Sequence, residues 1–286
     1  MTAKLPLIIG IGELLWDMLP AGKRAGGAPA NFVYHAARAG AQGYVVSAVG
    51  QDALGDELLQ ELEKNKIGHC LSRVPYPTGT VKVTLKNGIP DYEIVENVAW
   101  DHIRVSKEAA ALMKKADAVC FGTLASRSPE SRRTIETLLS YTPEKALRFF
   151  DINLRGNYYS YGLIDTLLKK SNIFKINDEE LTVLQNLFHL PAQEEQACME
   201  LLQRYGLRCV ILTAGERHSC IYATDEKSFL PTPKVQVADT VGAGDSFSGA
   251  FTTSILTGKS LKEAHAAAVR TAAFVSSRSG AWPIYE

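Results

Sequence analysis

Short apolar runs recur along the chain at residues 7–12, 44–49, 118–121, 147–152, 172–176, 209–213 and 219–223. Each is long enough for a buried strand and too short for a core helix. Between most of them lie segments with apolar residues at three- and four-residue spacing, the period of an amphipathic helix. Ser128-Pro129-Glu130 supplies a helix start, with a cap, a proline at the first helical position and an acid in the first turn. Gly258, after Ile255-Leu256-Thr257, supplies a helix stop. Strands alternating with helices predict an α/β fold whose mainly parallel central sheet is covered on both faces.

One region departs from this rhythm. Residues 80–86 alternate apolar and polar, Asn87-Gly88 offers a tight turn, and residues 91–96 resume an extended pattern. The expectation is a hairpin with one face free to cover something. No internal repeat, low-complexity tract or long linker interrupts the chain.

Composition narrows the function classes. With 286 residues the chain can bury a large core, and 31 basic residues balance 31 acidic ones. That balance gives no electrostatic footprint for nucleic acid or an anionic membrane. The apolar run from residue 5 to 11 is too short to span a bilayer, and no signal peptide is visible. Cys70, Cys120, Cys198, Cys209 and Cys220 are scattered without a Cys-x-x-Cys pair, and Cys120, Cys209 and Cys220 lie in apolar runs. A cytoplasmic enzyme acting on small molecules, with neither nucleic-acid nor membrane partner, is the resulting expectation. The six histidines show no metal-ligand spacing, and His35 and His265, within helical segments, read as structural.

The chemistry concentrates in residues 237–251, a glycine-punctuated loop that runs into an apolar helix. Gly242 and Gly244 permit a tight turn and close backbone approach. The N–H groups that follow lack intrahelical partners and favour an anion. A carboxylate in the mouth of such a cradle, Asp245, suits a base that takes the proton when a phosphoryl group moves to a hydroxyl. It equally suits a plain helix N-cap. Other polar motifs end other apolar runs: Asp151-Ile-Asn153-Leu-Arg155, Asn177-Asp-Glu-Glu180 and Thr213-Ala-Gly215. In an open α/β sheet ligands bind beyond the carboxyl ends of the strands, so these motifs converge on one edge. No Gly-x-x-x-x-Gly-Lys-Ser/Thr loop is present, so a nucleotide's charge must be met by backbone N–H groups, a metal and an arginine.

Two long segments carry a family resemblance. Asp239-Thr-Val-Gly-Ala-Gly-Asp-Ser-Phe247 resembles the second signature of the ribokinase-like (PfkB) carbohydrate kinases. Gly26-Gly-Ala-Pro-Ala-Asn31, continuing to Ala48-Val-Gly-Gln-Asp-Ala-Leu-Gly55, resembles the first. The likeness runs from Gly10-Ile-Gly-Glu13 to Ser279-Gly-Ala281. Within the family, Glu13-Leu-Leu-Trp-Asp17, Glu96-Asn-Val-Ala-Trp-Asp101 and Asp151-Ile-Asn-Leu-Arg155 are most similar to bacterial fructokinases.

The resemblance implies a ribokinase-like three-layer sandwich, residues 1–286 forming one kinase domain. It implies a small β-lid from segments about 13–28 and 76–101, with a possible homodimer through the lid's outer edge, unless Lys82 and Lys86 blunt it. Asp245 is then the catalytic base, and the N–H groups of Gly242, Ala243 and Gly244 hold the transferring phosphoryl group. Asp17, Gly26, Gly27 and Asn31 contact the sugar; Trp100 and Tyr92 either line the pocket from the lid side or pack beneath it, and Arg155 either orients a hydroxyl or a phosphate oxygen or serves as a surface ion-pair partner. Asn177, Thr213, Gly215, Gly242, Gly244 and Gly280 face ATP, and the small-residue segment 264–273 lies near the adenine. Asn177 and Glu180 match the Asn-x-x-Glu element that holds Mg²⁺ through water, although a helix cap would use the same pair. Asp239 and Val241, with main-chain oxygens near Val275, Arg278 and Gly280, match a monovalent-cation (K⁺) site. Ala28 stands where ribokinases usually carry lysine, which favours fructose over ribose.

The expected activity is ATP-dependent phosphorylation of fructose to fructose 6-phosphate. A kinase for ribose, 2-keto-3-deoxygluconate or another ketose, and a silent sugar- or nucleotide-binding protein, are the rivals. A dinucleotide-dependent dehydrogenase lacks the Gly-x-Gly-x-x-Gly turn it needs after the first strand.

Overall fold

The computed structural model describes residues 4–19, 22–86 and 89–285, with 82–86 and 89–92 described by backbone alone. Its strands are β1 (Leu7–Ile11), β2 (Leu15–Leu19), β3 (Gly22–Gly26), β4 (Gln42–Gly50), β5 (Gly68–Val74), β6 (Gly79–Lys86), β7 (Ile89–Ile94), β8 (Ala118–Phe121), β9 (Leu147–Asp151), β10 (Ile173–Asn177), β11 (Cys209–Ala214), β12 (His218–Ala223) and β13 (Lys227–Pro231). Its helices are α1 (Ala28–Arg38), α2 (Ala53–Lys64), α3 (Lys107–Met113), α4 (Pro129–Ser140), α5 (Tyr161–Lys170), α6 (Asp178–Phe188), α7 (Glu194–Tyr205), α8 (Ala243–Leu256) and α9 (Leu261–Ser276).

Nine strands form the large sheet in the order β13-β12-β11-β10-β9-β8-β1-β4-β5. From β5 to β11 every pairing is parallel, and β12 and β13 add an antiparallel margin. Successive side chains of a strand face opposite sides, and here both sides are dry. Ile8 and Phe149 join one apolar core, packed with α1, α2, α8 and α9. Ile9, Ile11 and Phe150 join the other, packed with α3 to α7. The result is the three-layer sandwich expected from the sequence.

All seven expected strands exist, with ends moved by one or two residues. β5 and β13 had no apolar run to reveal them, because both are sheet edges with mostly half-buried or exposed residues. Pro129 opens α4 as expected, but the Ser128 hydroxyl bonds Asp101 O at 2.6 Å rather than capping the helix. α8 ends at Leu256, just before Gly258 with φ +86°.

The hairpin over residues 80–96 appears as β6 and β7, in the four-stranded sheet β3-β2-β6-β7. The Asn87-Gly88 turn lies outside the described residues. This small sheet leaves the large one directly after β1 and returns to it through Gly27 at the start of α1. The five cysteines are free, and Cys120, Cys209 and Cys220 are buried as expected. Among the described residues no helix is long and apolar enough to cross a membrane.

His35 and His265 are buried, and burial pushes each imidazole from 6.5 to about 4. His265 sits between the Ser219 and Ser228 hydroxyls, each at 2.8 Å. The folded state therefore binds fewer protons than the unfolded chain. The stability so gained is full above about pH 6.5 and is lost as pH falls towards 4, at most about 3 kcal/mol per histidine. Thermal unfolding at pH 7 and pH 5 checks this: His265→Gln should show a smaller drop in Tm than the parent, and an equal drop would contradict it.

Candidate active site

A cleft of about 1620 Å³ opens at the carboxyl ends of β1, β9, β10 and β11, roofed by the small sheet. The register explains its chemistry. In β9 and β10 Asp151 and Lys175 lie opposite each other across the two strands, on the face that packs against α8. Lys175 Nζ bonds both Asp151 oxygens at 3.0 and 3.1 Å, and Ser248 of α8 donates to Asp151 Oδ2 at 2.9 Å. Burial pushes the Lys175 ammonium down, but attraction to Asp151 and Asp245 outweighs it, and the net shift is upward. The pair thus remains ionic and anchors α8 to the sheet.

α8 begins at a left-handed Gly242 with φ +78°, which makes Gly242 the N-cap and puts Asp245 in the first turn. Asp245 is therefore not the cap. Its carboxylate lines the cleft and accepts from Asn31 Nδ2 at 2.8 Å. Burial, reinforced by the Asp151 charge, raises Asp245 from 3.8 to about 6, against the pull of Asn31, Lys175 and Arg155. At pH 7 such a group is mostly ionised yet close enough to neutrality to exchange a proton. Gly242, Ala243 and Gly244 line the cleft beside it, but the Ala243 N–H donates to Thr240 O at 3.2 Å.

On the small-sheet side, Asp17 of β2 enters the cleft next to Arg24 and Arg155. Burial raises its carboxyl to about 6, with Asp239 adding to the shift. Gly26 makes room for it: a Cβ there would lie 2.7 Å from Asp17 Oδ2. Gly27 and Asn31 also border the cleft. Trp100 does not, correcting its expected contact with the sugar. It is 1 % exposed, lies under the small sheet against Gly79, and carries the Arg127 guanidinium 3.9 Å from its ring. A large aromatic in an apolar hollow is core material. The Tyr92 side chain lies outside those described.

The far side of the cleft is bordered by Thr213, Gly215, Val241, Gly280 and the α9 residues Val269, Ala272, Ala273 and Ser276. Asn177 and Glu180 line it too, and they form the cap alternative: Glu180 N–H donates to Asn177 Oδ1 at 2.8 Å, and Asn177 N–H to Glu180 Oε2 at 2.9 Å. Leu154 N–H takes Glu180 Oε1 at 2.8 Å. Asp239 accepts from Val241 and Gly280 N–H at 3.0 Å each and stands 3.5 Å from Arg24 Nη1. Val275 and Arg278 lie off the cleft, with the Val275 carbonyl accepting from Arg278 N–H at 2.9 Å.

Sequence reasoning placed Asp151 in a motif at this edge without giving it a role, and missed Lys175, Glu13 and Trp282 as site residues. Lys175 could have been found, since a lone lysine inside Ile173-Phe174-Lys175-Ile176 must have a buried partner. Glu13 is 3 % exposed and raised by burial to about 7; its Oε1 accepts from Ala28 N–H and its Oε2 has no partner.

A family model for pfkB family carbohydrate kinases matches residues 20–284, nearly the whole chain. The chain belongs to this family. It is a carbohydrate kinase, and its relatives agree. An uncharacterized sugar kinase of Pyrococcus horikoshii is 26% identical, over 96% of this chain and 92% of its own. Its crystal structure superposes with a TM-score of 0.81, and its ATP complex with 0.79. An ATP-dependent 6-phosphofructokinase of Thermoanaerobacterium thermosaccharolyticum is 28% identical, over 90% of this chain and 83% of its own. A fructokinase of Rhizobium leguminosarum is 26% identical, over 87% and 79%.

Removing one partner of a buried pair leaves an uncompensated charge. Lys175→Met in this kinase should therefore cost about 3–5 kcal/mol. Lys175→Met with Asp151→Asn should cost less than the sum of the two single changes. Denaturant unfolding of the four proteins checks it; strict additivity would contradict the pair.

Proposed function

We propose that this kinase transfers the γ-phosphoryl group of ATP to a hydroxyl of free fructose, giving fructose 6-phosphate and ADP. The observation that carries the reading is the desolvated Asp245 carboxylate at the start of α8, between an acid- and amide-lined pocket on the small-sheet side and a glycine- and alanine-lined shelf on the other. Asp17 offers acceptor oxygens to sugar hydroxyls, and Asn31 and Arg155 border the same pocket. Gly215, Gly242, Gly280 and the α9 alanines would let a nucleotide lie close to the backbone.

In the reaction Asp245 takes the hydroxyl proton as the sugar oxygen forms its bond to the γ-phosphorus. The bond to the β-phosphate oxygen breaks in line, and ADP leaves. Asn31 holds Asp245 Oδ2, which leaves Oδ1 to receive the proton. The N–H groups of Gly242 and Gly244, together with Lys175 and Arg155, would oppose the phosphoryl charge. The Ala243 N–H is occupied within the turn and contributes less than expected. The small sheet serves as the lid that excludes water, and positioning and charge stabilisation supply most of the acceleration.

Glu180, Asp178 and Glu179 present hard oxygen donors along the nucleotide side. Burial raises the Glu180 carboxyl, but each of its oxygens spends only one lone pair on a backbone N–H, and the lone pairs left over would suit a Mg²⁺ held through water. When bound, that ion would offset phosphate charge. A bare K⁺ fits less well, because Arg24 already stands against Asp239.

An ADP-release assay with MgATP against fructose, ribose, glucose, 2-keto-3-deoxygluconate and fructose 6-phosphate tests the substrate. Turnover centred on fructose is expected; preference for another acceptor would overturn the fructose reading. Asp245→Asn should lose about 10²–10⁴-fold in kcat while still binding ATP and sugar.

A further inference from the structure

Residues 281–285 are fastened to α1 by stacking and by hydrogen bonds. Trp282 stacks on Tyr34 with centroids 5.1 Å apart and planes 7° from parallel, and the Tyr34 hydroxyl donates to Pro283 O at 2.7 Å. His35 Nε2 lies 2.9 Å from Ala281 O, and Nδ1 lies 2.7 Å from the Tyr285 hydroxyl. A carbonyl only accepts, so Nε2 carries the proton and Nδ1 accepts from Tyr285. Ala281 also packs over Gly242, where an added Cβ would come within 2.8 Å of the Ala281 methyl. The tail is therefore wedged between α1 and the loop that starts α8.

Asn31 stands at that junction. Its Oδ1 accepts from the Trp282 indole N–H at 2.7 Å, and its Nδ2 donates to Asp245 Oδ2 at 2.8 Å. An indole N–H only donates and a carboxylate only accepts, so one orientation of the amide serves both. The reversed amide would set NH₂ against N–H and oxygen against a carboxylate.

We propose that Trp282 is a positioning residue for phosphoryl transfer: its indole N–H locks the Asn31 amide so that the NH₂ group faces Asp245. The inference rests on the reading of Asp245 as the base. Trp282 does not itself line the cleft and acts through Asn31. The groups that face Asp245 are Asp151 and Glu13, which oppose its charge, Lys175 and Arg155, which favour it, and the neutral Cys120 thiol. Against burial, the Asn31 N–H is the side-chain hydrogen bond that favours the ionised form of Asp245, beside the Lys175 and Arg155 charges. Without the indole N–H the amide can turn, and its oxygen then tolerates only a protonated Asp245.

Trp282→Phe keeps the ring on Tyr34 and removes the N–H. The expected results are a fall in kcat of about tenfold at pH 7, the worth of one lost hydrogen bond, and a rise in the Asp245 carboxyl pKa read by ¹³C NMR. In an Asn31→Ala background the same substitution should change kcat less than about twofold, because its route is gone. Site-specific 3-benzothienylalanine at position 282, with sulfur in place of N–H in the same ring shape, gives the same comparison should the Phe variant fold poorly. A folded variant with parental kcat and Asp245 pKa overturns the proposal, as does an equal loss in the Asn31→Ala background. The NMR titration reads the relay whether or not Asp245 is the base. Retained turnover in Asp245→Asn would instead overturn the base reading alone.

Discussion

The site depends on one buried ion pair. Asp151, at the end of β9, and Lys175, paired with it in β10, lie on the face that receives α8, and neither charge would be tolerated there without the other. Because Ser248 bonds the same carboxylate, the pair fixes the position of α8, and with it the glycine turn and Asp245. A catalytic group held by rigid strands and a packed helix keeps its geometry better than one on a free loop. The pair is thus a structural clamp whose ammonium lies against Gly244 at the start of α8.

The same dryness that makes the clamp necessary tunes the acids. Glu13, Asp17 and Asp245 are each raised by burial, to about 7, 6 and 6. In water they would be poor bases; here they stand near the working pH. Arg24, Arg155 and Lys175 stand among them, so a cleft lined mainly by acids also carries basic groups close to Asp17 and Asp245. That arrangement suits a neutral polyol acceptor and an anionic donor meeting at one carboxylate. Arg24 adds a link between the small sheet and Asp239 on the nucleotide side.

The strand–helix rhythm was legible because buried parallel strands have to be apolar on both faces, and the edge strands β5 and β13 were not, because they do not. The places of Asp245 and Asn31 on the cleft were legible through their glycine motifs, and that of Asp17 through its position just past the first strand and the Glu13-Leu-Leu-Trp-Asp17 likeness. Trp100 misled because an aromatic beside a polar motif reads alike whether it lines a pocket or fills a core. Asn177 and Glu180 were rightly seen to admit a cap, and the cap is formed. The place of Asp151 at the site edge was legible but its role was not, and Trp282 was invisible altogether: their roles arise from partners far along the chain, Ser248 for one and Asn31 for the other. No local spacing encodes such a meeting.

The pH dependence of kcat/KM for the accepted sugar tests the central claim most directly, since it reports the ionisations of the free enzyme. The account predicts an acid limb centred near pH 6, where the Asp17 and Asp245 carboxyls gain their protons. A profile that stays flat down to about pH 4, the range of an ordinary carboxylate, would contradict it.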